Sequence, residues 1–203
     1  PINKNYWAHH EMTSQFDGAE RIAKKWGITR NETDAFGLRS QELAAAAWDA
    51  GTFDSQVAPI DAPVGFEDGK PTKETHRVER DGGLRATTLE ALAGLKTNMP
   101  DGVHTAGSSS QISDGAGAVL MMTREKANQL GLAVKATIVD TCLVGSDPVL
   151  MLTGPIGATQ KLLENNNMSI GDIDVTEINE AFASVVLSWA QELKPDMATV
   201  NPN

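Results

Sequence analysis

From residue 116 to the end of the chain, apolar runs alternate with helix-period segments, and no other feature limits the fold so strongly. Residues 116–122 are a continuous apolar run, the pattern of a strand covered on both faces. Thr123 opens a helix that Gly131 closes, and a second strand is expected over residues 135–144. Asp147 fits a cap with Pro148 as first helical residue, Pro155 opens a further helix to about Asn165, and Ser169 caps a short turn. Residues 175–178, rich in β-branched side chains, end at Asn179 and pass directly into a long apolar-periodic segment, which predicts a strand feeding a helix. Such alternation predicts an α/β fold of layered sheet and helices, the sheet largely parallel. Ligands in open sheets of that class bind at the carboxyl ends of the strands, and Asn179 and Glu180 lie at such an end.

Residues 1–102 follow a different rhythm and predict a helix-rich subdomain. Asp17 with Glu20 suggests a capping-box start for a helix that runs to Trp26 and stops at Gly27. Thr29 with Glu32 repeats the device for a second helix, which carries Phe36, Leu43 and Ala47 on one face and ends at Gly51. Trp26, Phe36 and Trp48 at this spacing fit a core rather than a cofactor box. Residues 52–83 are rich in Pro, Gly and charge, with residues 57–60 and 76–78 as candidate edge strands, since Pro59 argues against a central position. Thr87 with Glu90 opens a third helix whose Leu89, Leu92 and Leu95 face inward, and residues 103–106 predict a brief strand.

The 203 residues are 40% hydrophobic, enough for one large or two small cores. A formal charge of −10 disfavours a nucleic-acid partner, which needs clustered Lys and Arg to neutralise phosphates. No apolar run approaches the length of about 18 residues expected of a membrane span, so neither a membrane partner nor a membrane location is expected. The single cysteine, Cys142, precludes an intrachain disulfide and suits a reducing compartment, so a cytoplasmic location is expected. The chain opens at Pro1 and closes in the polar segment V-N-P-N, and both ends are expected to be cuts rather than natural termini.

Residue chemistry alone leaves alternatives open at each candidate. The loop 107–115 has glycines that let backbone approach a ligand and hydroxyls that can bond an amide or phosphate, yet such clusters more often mark plain turns. Met151 fits an apolar slot or ordinary core filling. Asn179 fits either a site or a cap for the last helix. Cys142, inside an apolar strand pattern, reads as a small buried hydrophobe and not as a nucleophile. His9, His10 and Glu11 are adjacent and point different ways, a poor spacing for metal ligands, and no metal site is expected.

Taken together, these places become specific. The run His104-Thr105-Ala106-Gly107-Ser108-Ser109-Ser110-Gln111-Ile112-Ser113-Asp114-Gly115-Ala116 is followed by Asp147-Pro148 with Met151 and Gly154-Pro155, then by Asn179-Glu180-Ala181-Phe182-Ala183. In this order they resemble the middle of a thiolase. Ala19-Glu20-Arg21-Ile22-Ala23, Trp26-Gly27-Ile28-Thr29-Arg30 and Asp34-Ala35-Phe36 resemble the loop domain that covers the coenzyme A channel in that family. The closing Val200-Asn201-Pro202-Asn203 resembles the segment leading to its catalytic histidine.

The resemblance implies a partial thiolase-like α/β fold with a helix-rich loop domain over residues 1–112. Residues 113–134 would return to the N-terminal core domain, and 135–203 would begin the C-terminal one. It implies acyl transfer, with thiolytic cleavage of a 3-ketoacyl-CoA or the reverse condensation, coenzyme A thioesters as partners, and no metal or redox cofactor. A homodimer or homotetramer is the implied assembly. Asn179 matches the family asparagine that orients a water at the thioester oxygen. Phe182 and Met151 match contacts to the acyl and pantetheine portions, Ala106 and Ser110 match the loop at the pantetheine amides, and Arg85 is a candidate for the phosphate end. The family's nucleophilic C-x-S segment, its G-H-P motif and its C-x-G motif do not occur in these residues, so a fragment inactive by itself is expected. Where short-chain biosynthetic thiolases carry a His-Met pair, this chain has Thr13-Ser14-Gln15-Phe16, which makes Gln15 a substrate-contact candidate and points to bulkier acyl chains, such as steroid or branched lipid side chains. A thiolase-like aldolase is the competing enzyme, against which Asn179 argues. A non-catalytic scaffold subunit is the competing non-enzyme.

Overall fold

In the computed structural model of the protein, residues 3–203 are described. Its helices start where the sequence supplies a cap. Ser14 Oγ accepts from the Asp17 N–H at 3.1 Å and Asp17 Oδ2 accepts from the Ser14 N–H at 3.1 Å, a reciprocal box that starts α1 (Gln15–Trp26). The expected Asp17–Glu20 box does not form, because Glu20 is taken by a distant loop. Gly27, at φ 65°, ends the helix in the left-handed region. The Thr29–Glu32 box starts α2 (Arg30–Asp49) as expected, and Gly51 follows its end. Phe36 and Ala47 on α2 are buried. Trp26 and Trp48 depart from the core expectation: Trp26 Nε1 donates to Glu192 at 2.8 Å, and Trp48 stacks on Phe53 under the Arg80 guanidinium near the surface.

The Pro- and Gly-rich excursion folds into two small antiparallel pairs. β1 (Ile60–Pro63) and β4 (Thr75–Val78) enclose β2 (Phe66–Glu67) and β3 (Lys70–Pro71). The first strand thus begins at Ile60, not at residue 57. The short α3 (Leu89–Ala93) is capped by Thr88 rather than Thr87 and ends before Leu95, and of the three leucines expected to face inward only Leu92 is buried. Residues 103–106 make a single bridge, Thr97 to Thr105, and then a 3-10 turn, Ala106–Ser108.

In the second half α4 (Arg124–Leu130), α5 (Gly154–Asn165) and the short turn Ile170–Asp172 after Ser169 fall where the sequence puts them, and Asp172 closes the turn on Ser169. Pro148 opens only a single turn, closed by the Met151 N–H on the Asp147 carbonyl at 2.7 Å. The last helix, α6 (Ala183–Leu193), starts four residues after Asn179, so Asn179 is not its cap.

The core is organised around α6. Val186 and Trp189 pack with Phe36 of α2 and Val200, while Val185 and Phe182 pack with Ala19 of α1. Burial of each of these Val and Phe side chains contributes roughly 1.5–3 kcal/mol. Trp189 also satisfies its indole N–H on Thr159 Oγ1 of α5 at 2.9 Å.

The two apolar runs expected as strands, 116–122 and 135–144, are not strands, and of the strand expected at 175–178 only a bridge at Thr176 forms. Val119 and Leu120 are 82% and 77% exposed, and Ile138, Val139 and Leu143 are 66%, 83% and 92% exposed. A strand exists only when a neighbour takes its N–H and C=O groups, and no segment among the described residues pairs with either run. The α/β order of the sequence is therefore present, while its parallel pairing is limited among the described residues to one bridge, Thr176 to Val200.

Candidate functional site

A cavity of about 560 Å³ opens between α2, the loop before α3, the 106–111 loop and the start of the 179–183 segment. Its lining includes Arg85, Ala106, Ser110 and Asn179, four of the residues singled out in the sequence. Two of the walls are joined by backbone pairing. The Ser110 N–H donates to the Ala181 carbonyl at 3.0 Å, and Ser109 bridges Phe182 in antiparallel fashion. The serine-rich loop is thus stitched to the segment that carries Asn179, which the residue pattern alone left as a plain turn.

The third wall is α2. Gly37, Ser40 and Gln41 occupy i, i+3 and i+4 on one helix face, and each engages a different part of the lining. A Cβ on Gly37 would fall inside the Gly107 carbonyl, so only glycine lets the helix backbone lie against that turn. Ser40 Oγ donates to Glu180 Oε2 at 2.6 Å. Gln41 Oε1 accepts from the Arg85 N–H at 2.8 Å. The exposed Arg85 donates through Nη1 to the carbonyls of Gly82 and Leu84, which holds its guanidinium at the cavity rim.

Asn179 is exposed to the cavity and its amide makes no hydrogen bond among the described residues, whereas its neighbours on both sides are held. Asn201, buried and at φ 44°, pairs with Ile178 through both functions of its amide: Oδ1 accepts from the Ile178 N–H at 2.8 Å and Nδ2 donates to the Ile178 carbonyl at 2.9 Å. Its second Nδ2 proton goes to Glu180 Oε1 at 2.7 Å. Arg39, next to Ser40 on α2, donates through Nη2 to the carbonyls of Met197 and Val200, both at 2.8 Å, and so anchors the segment that carries Asn201.

Behind the cavity lies a buried polar joint. His104 is 1% exposed; its Nδ1 meets Glu20 Oε1 at 3.1 Å and its Nε2 accepts from the Ser184 N–H at 3.3 Å. These partners select the tautomer protonated on Nδ1. The imidazole thereby serves α6 as the N-terminal acceptor that its own cap position, Phe182, lacks. Phe182 packs edge-on against both His104 and Phe16, at centroid distances of 5.5 Å. Burial pushes the Glu20 carboxyl upward, but hydrogen bonds from the His104 ring and from the N–H groups of Val103 and His104 outweigh it and hold the carboxyl below its ordinary range.

Not every sequence candidate reaches the cavity. Phe182 is buried behind it, and its lining does not include Met151 or Gln15. Met151 sits half-buried at φ 45° with its side chain beside Gly18 of α1, and Gln15 is exposed at the first turn of that helix. Cys142 is half-buried, with Sγ 3.5 Å from the Ala158 carbonyl, and is not fully covered as the sequence suggested. Among the described residues no group of three or more His, Cys, Asp or Glu side chains is placed to hold a metal ion, and no helix is long and apolar enough to cross a membrane. Sequence reasoning missed Ser40, Asn201 and the His104–Glu20 pair as parts of the site. Their partners lie 140, 21 and 84 residues away, and no local pattern signals them.

Comparison with known proteins gives a consistent result. Residues 8–125 match the family profile described as "Thiolase, N-terminal domain" and residues 132–203 match "Thiolase, C-terminal domain". The chain is 42% identical to the steroid 3-ketoacyl-CoA thiolase FadA6 of Mycobacterium tuberculosis, over 100% of this chain and 48% of that protein. It is 43% identical to an acetyl-CoA acetyltransferase of Pseudomonas aeruginosa, over 91% of this chain and 46% of the relative. Its backbone superposes on the crystal structure of the Bacillus anthracis acetyl-CoA acetyltransferase with a TM-score of 0.86 at 39% identity, covering 96% of this chain and 48% of the other. The chain spans about half the length of the curated relatives it matches.

Proposed function

Because the chain belongs to the thiolase family, we propose that the whole protein transfers acyl groups to coenzyme A, cleaving a 3-ketoacyl-CoA to acetyl-CoA and a shortened acyl-CoA or running the reverse condensation. The observation that carries this reading is the placement of Asn179, an exposed residue that lines a cavity together with Ala106, Ser110 and Arg85. Cleavage of the bond between C2 and C3 leaves negative charge on the thioester oxygen of the departing acetyl-CoA. A water held by Asn179 would donate to that oxygen, and donors fixed in advance of the charge are commonly the largest single contribution to such steps. Ser110 and Ala106 would meet the pantetheine amides, and Arg85 the phosphate end, where a guanidinium fits geometrically. Phe182 and Met151 would contact the acyl and pantetheine portions, and Gln15 the substrate, from the side of α1. Cys142 is not assigned as the acyl carrier, since its thiol is half-buried and set against a carbonyl, not a cation that would favour the thiolate.

The reading extends to substrate size and setting. Thr13-Ser14-Gln15-Phe16 at the start of α1, together with a relative named for steroid 3-ketoacyl-CoA, favours acyl chains bulkier than acetoacetyl. It also includes a cytoplasmic setting, in keeping with the lone cysteine, and the homodimer or homotetramer that the family resemblance implies. The reaction as read needs no metal or redox cofactor, and the division at residues 112 and 134 remains part of it.

The test is thiolysis by the whole protein, following loss of 3-ketoacyl-CoA in the presence of coenzyme A. Asn179→Ala should lower kcat by about 10²-fold, the usual cost of one oxyanion donor. Activity confined to acetoacetyl-CoA would overturn the bulky-substrate reading, and absence of thiolysis with any chain length would overturn the function itself.

A further inference from the structure

We infer that Glu180 is a positioning residue that aims Asn179 into the cavity, acting as a strut between helix α2 and the Asn201 segment. This rests on the function proposed above. The two carboxylate oxygens have separate duties: Oε2 accepts from Ser40 Oγ at 2.6 Å and Oε1 from Asn201 Nδ2 at 2.7 Å. Both distances are in the short range of charge-assisted bonds. Ser40 belongs to α2, whose neighbouring Gly37 lies in backbone contact with the Gly107 turn. Asn201 belongs to a segment held by Arg39 of the same helix and by the parallel bridge from Val200 to Thr176. Glu180 therefore spans two fixed points, one on each side of the chain that presents Asn179.

Geometry explains why such a strut is required. Asn179 has no hydrogen bond of its own among the described residues, and the N-terminal turn of α6 begins only at Ala183. Residues 179–182 are in neither helix nor strand, apart from the single bridge at Phe182. Asn201 fixes the backbone at Ile178, before Asn179, and Ser110 fixes it at Ala181, after Glu180. The side chain of Glu180 supplies the remaining restraint at the position directly beside Asn179. Displacement of a reacting group by about 1 Å can cost on the order of 10²-fold in rate. A loosened strut is thus expected to act on kcat rather than on substrate affinity.

The test combines Glu180→Ala, Glu180→Gln, Ser40→Ala and Asn179→Ala in the whole protein, with thiolysis of a 3-ketoacyl-CoA as readout. Glu180→Ala should lower kcat roughly tenfold or more with KM within about twofold. Glu180→Gln should restore most of the rate, because its carbonyl can accept from Asn201 while its amide donates to Ser40 Oγ. In the Asn179→Ala background, Glu180→Ala should bring no further loss. A loss of the same factor in both backgrounds, or an unchanged kcat for Glu180→Ala, overturns the proposal. If Glu180→Ala does not fold, Ser40→Ala removes one end of the strut from α2 and should give the same non-additive pattern. If the wild-type protein does not thiolyse any substrate, the functional reading fails, and the strut is then judged by the Asn179 side-chain amide signals in NMR spectra. They should shift or broaden in Ser40→Ala and Glu180→Ala but not in Glu180→Gln, and signals unmoved in all three overturn it.

Discussion

Two regions of this chain have similar apolar content and opposite fates. Around α6, Val185, Val186 and Trp189 are almost wholly buried between α1, α2 and α5, while Val119, Leu120, Val139 and Leu143 in the runs at 116–122 and 135–144 face solvent. The difference lies in what each element needs. A helix satisfies its own backbone and requires a partner only for one face, so a short stretch of chain can bring that partner in. A covered strand requires neighbours for its backbone as well as for both faces, and the described residues supply none. Apolar composition therefore reports that a segment is built to be buried, without reporting what buries it.

The widest test of this contrast is a matched pair of truncations in the 203-residue chain, read by chemical denaturation. Trp189→Ala should cost about 3–5 kcal/mol, while Val139→Ala should stay within about 0.5 kcal/mol. Equal losses would mean that the 135–144 run has a partner after all. Next in size is His104→Ala, which leaves the Ser184 N–H without its acceptor and strips the ring donor from Glu20. It should cost about 1–3 kcal/mol and loosen the start of α6. Hydrogen exchange at Ser184 and Val185 would show this, and unchanged protection there would mean that the imidazole is only packing. Ser14→Ala removes a cap made within four residues, and should cost about 1 kcal/mol, with fraying confined to the first turn of α1.

These last two caps explain how much of the structure was legible. Thr29 with Glu32, Thr123 before Gly131, and Ser169 as the cap of a short turn were readable because each device closes within a few residues. The start of α1 was misplaced because Asp17 can serve as cap to Glu20 or as partner to Ser14, and Glu20 was already engaged by Val103 and His104. The start of α6 was out of reach because its acceptor lies 80 residues upstream. The cavity was half legible: Ala106, Ser110, Arg85 and Asn179 do meet there, but nothing near Ser40 or Asn201 announces that they hold Glu180. The strands failed for the same reason, since pairing is never written in the strand itself.

The smallest expected effect separates the two regions by pH. The Glu20 carboxyl is held below its ordinary range in the folded chain, so the unfolded chain takes up its proton more readily. The stability it contributes is complete above the unfolded carboxylate pKa and is lost as pH falls from there through the lower folded value. Acid titration of thermal stability should show this loss in the wild type and a shallower one in Glu20→Gln. Identical slopes would place the acid sensitivity elsewhere.

Gly37, Ser40 and Gln41 carry one more consequence. One turn of α2 touches the Gly107 turn, the Glu180 side chain and the Arg85 loop, so three sides of the cavity are measured from a single rigid rod. Movement of any one side strains its contact with the helix, whereas a tilt of the helix carries all three sides with it, together with Arg39 and the carbonyls it holds.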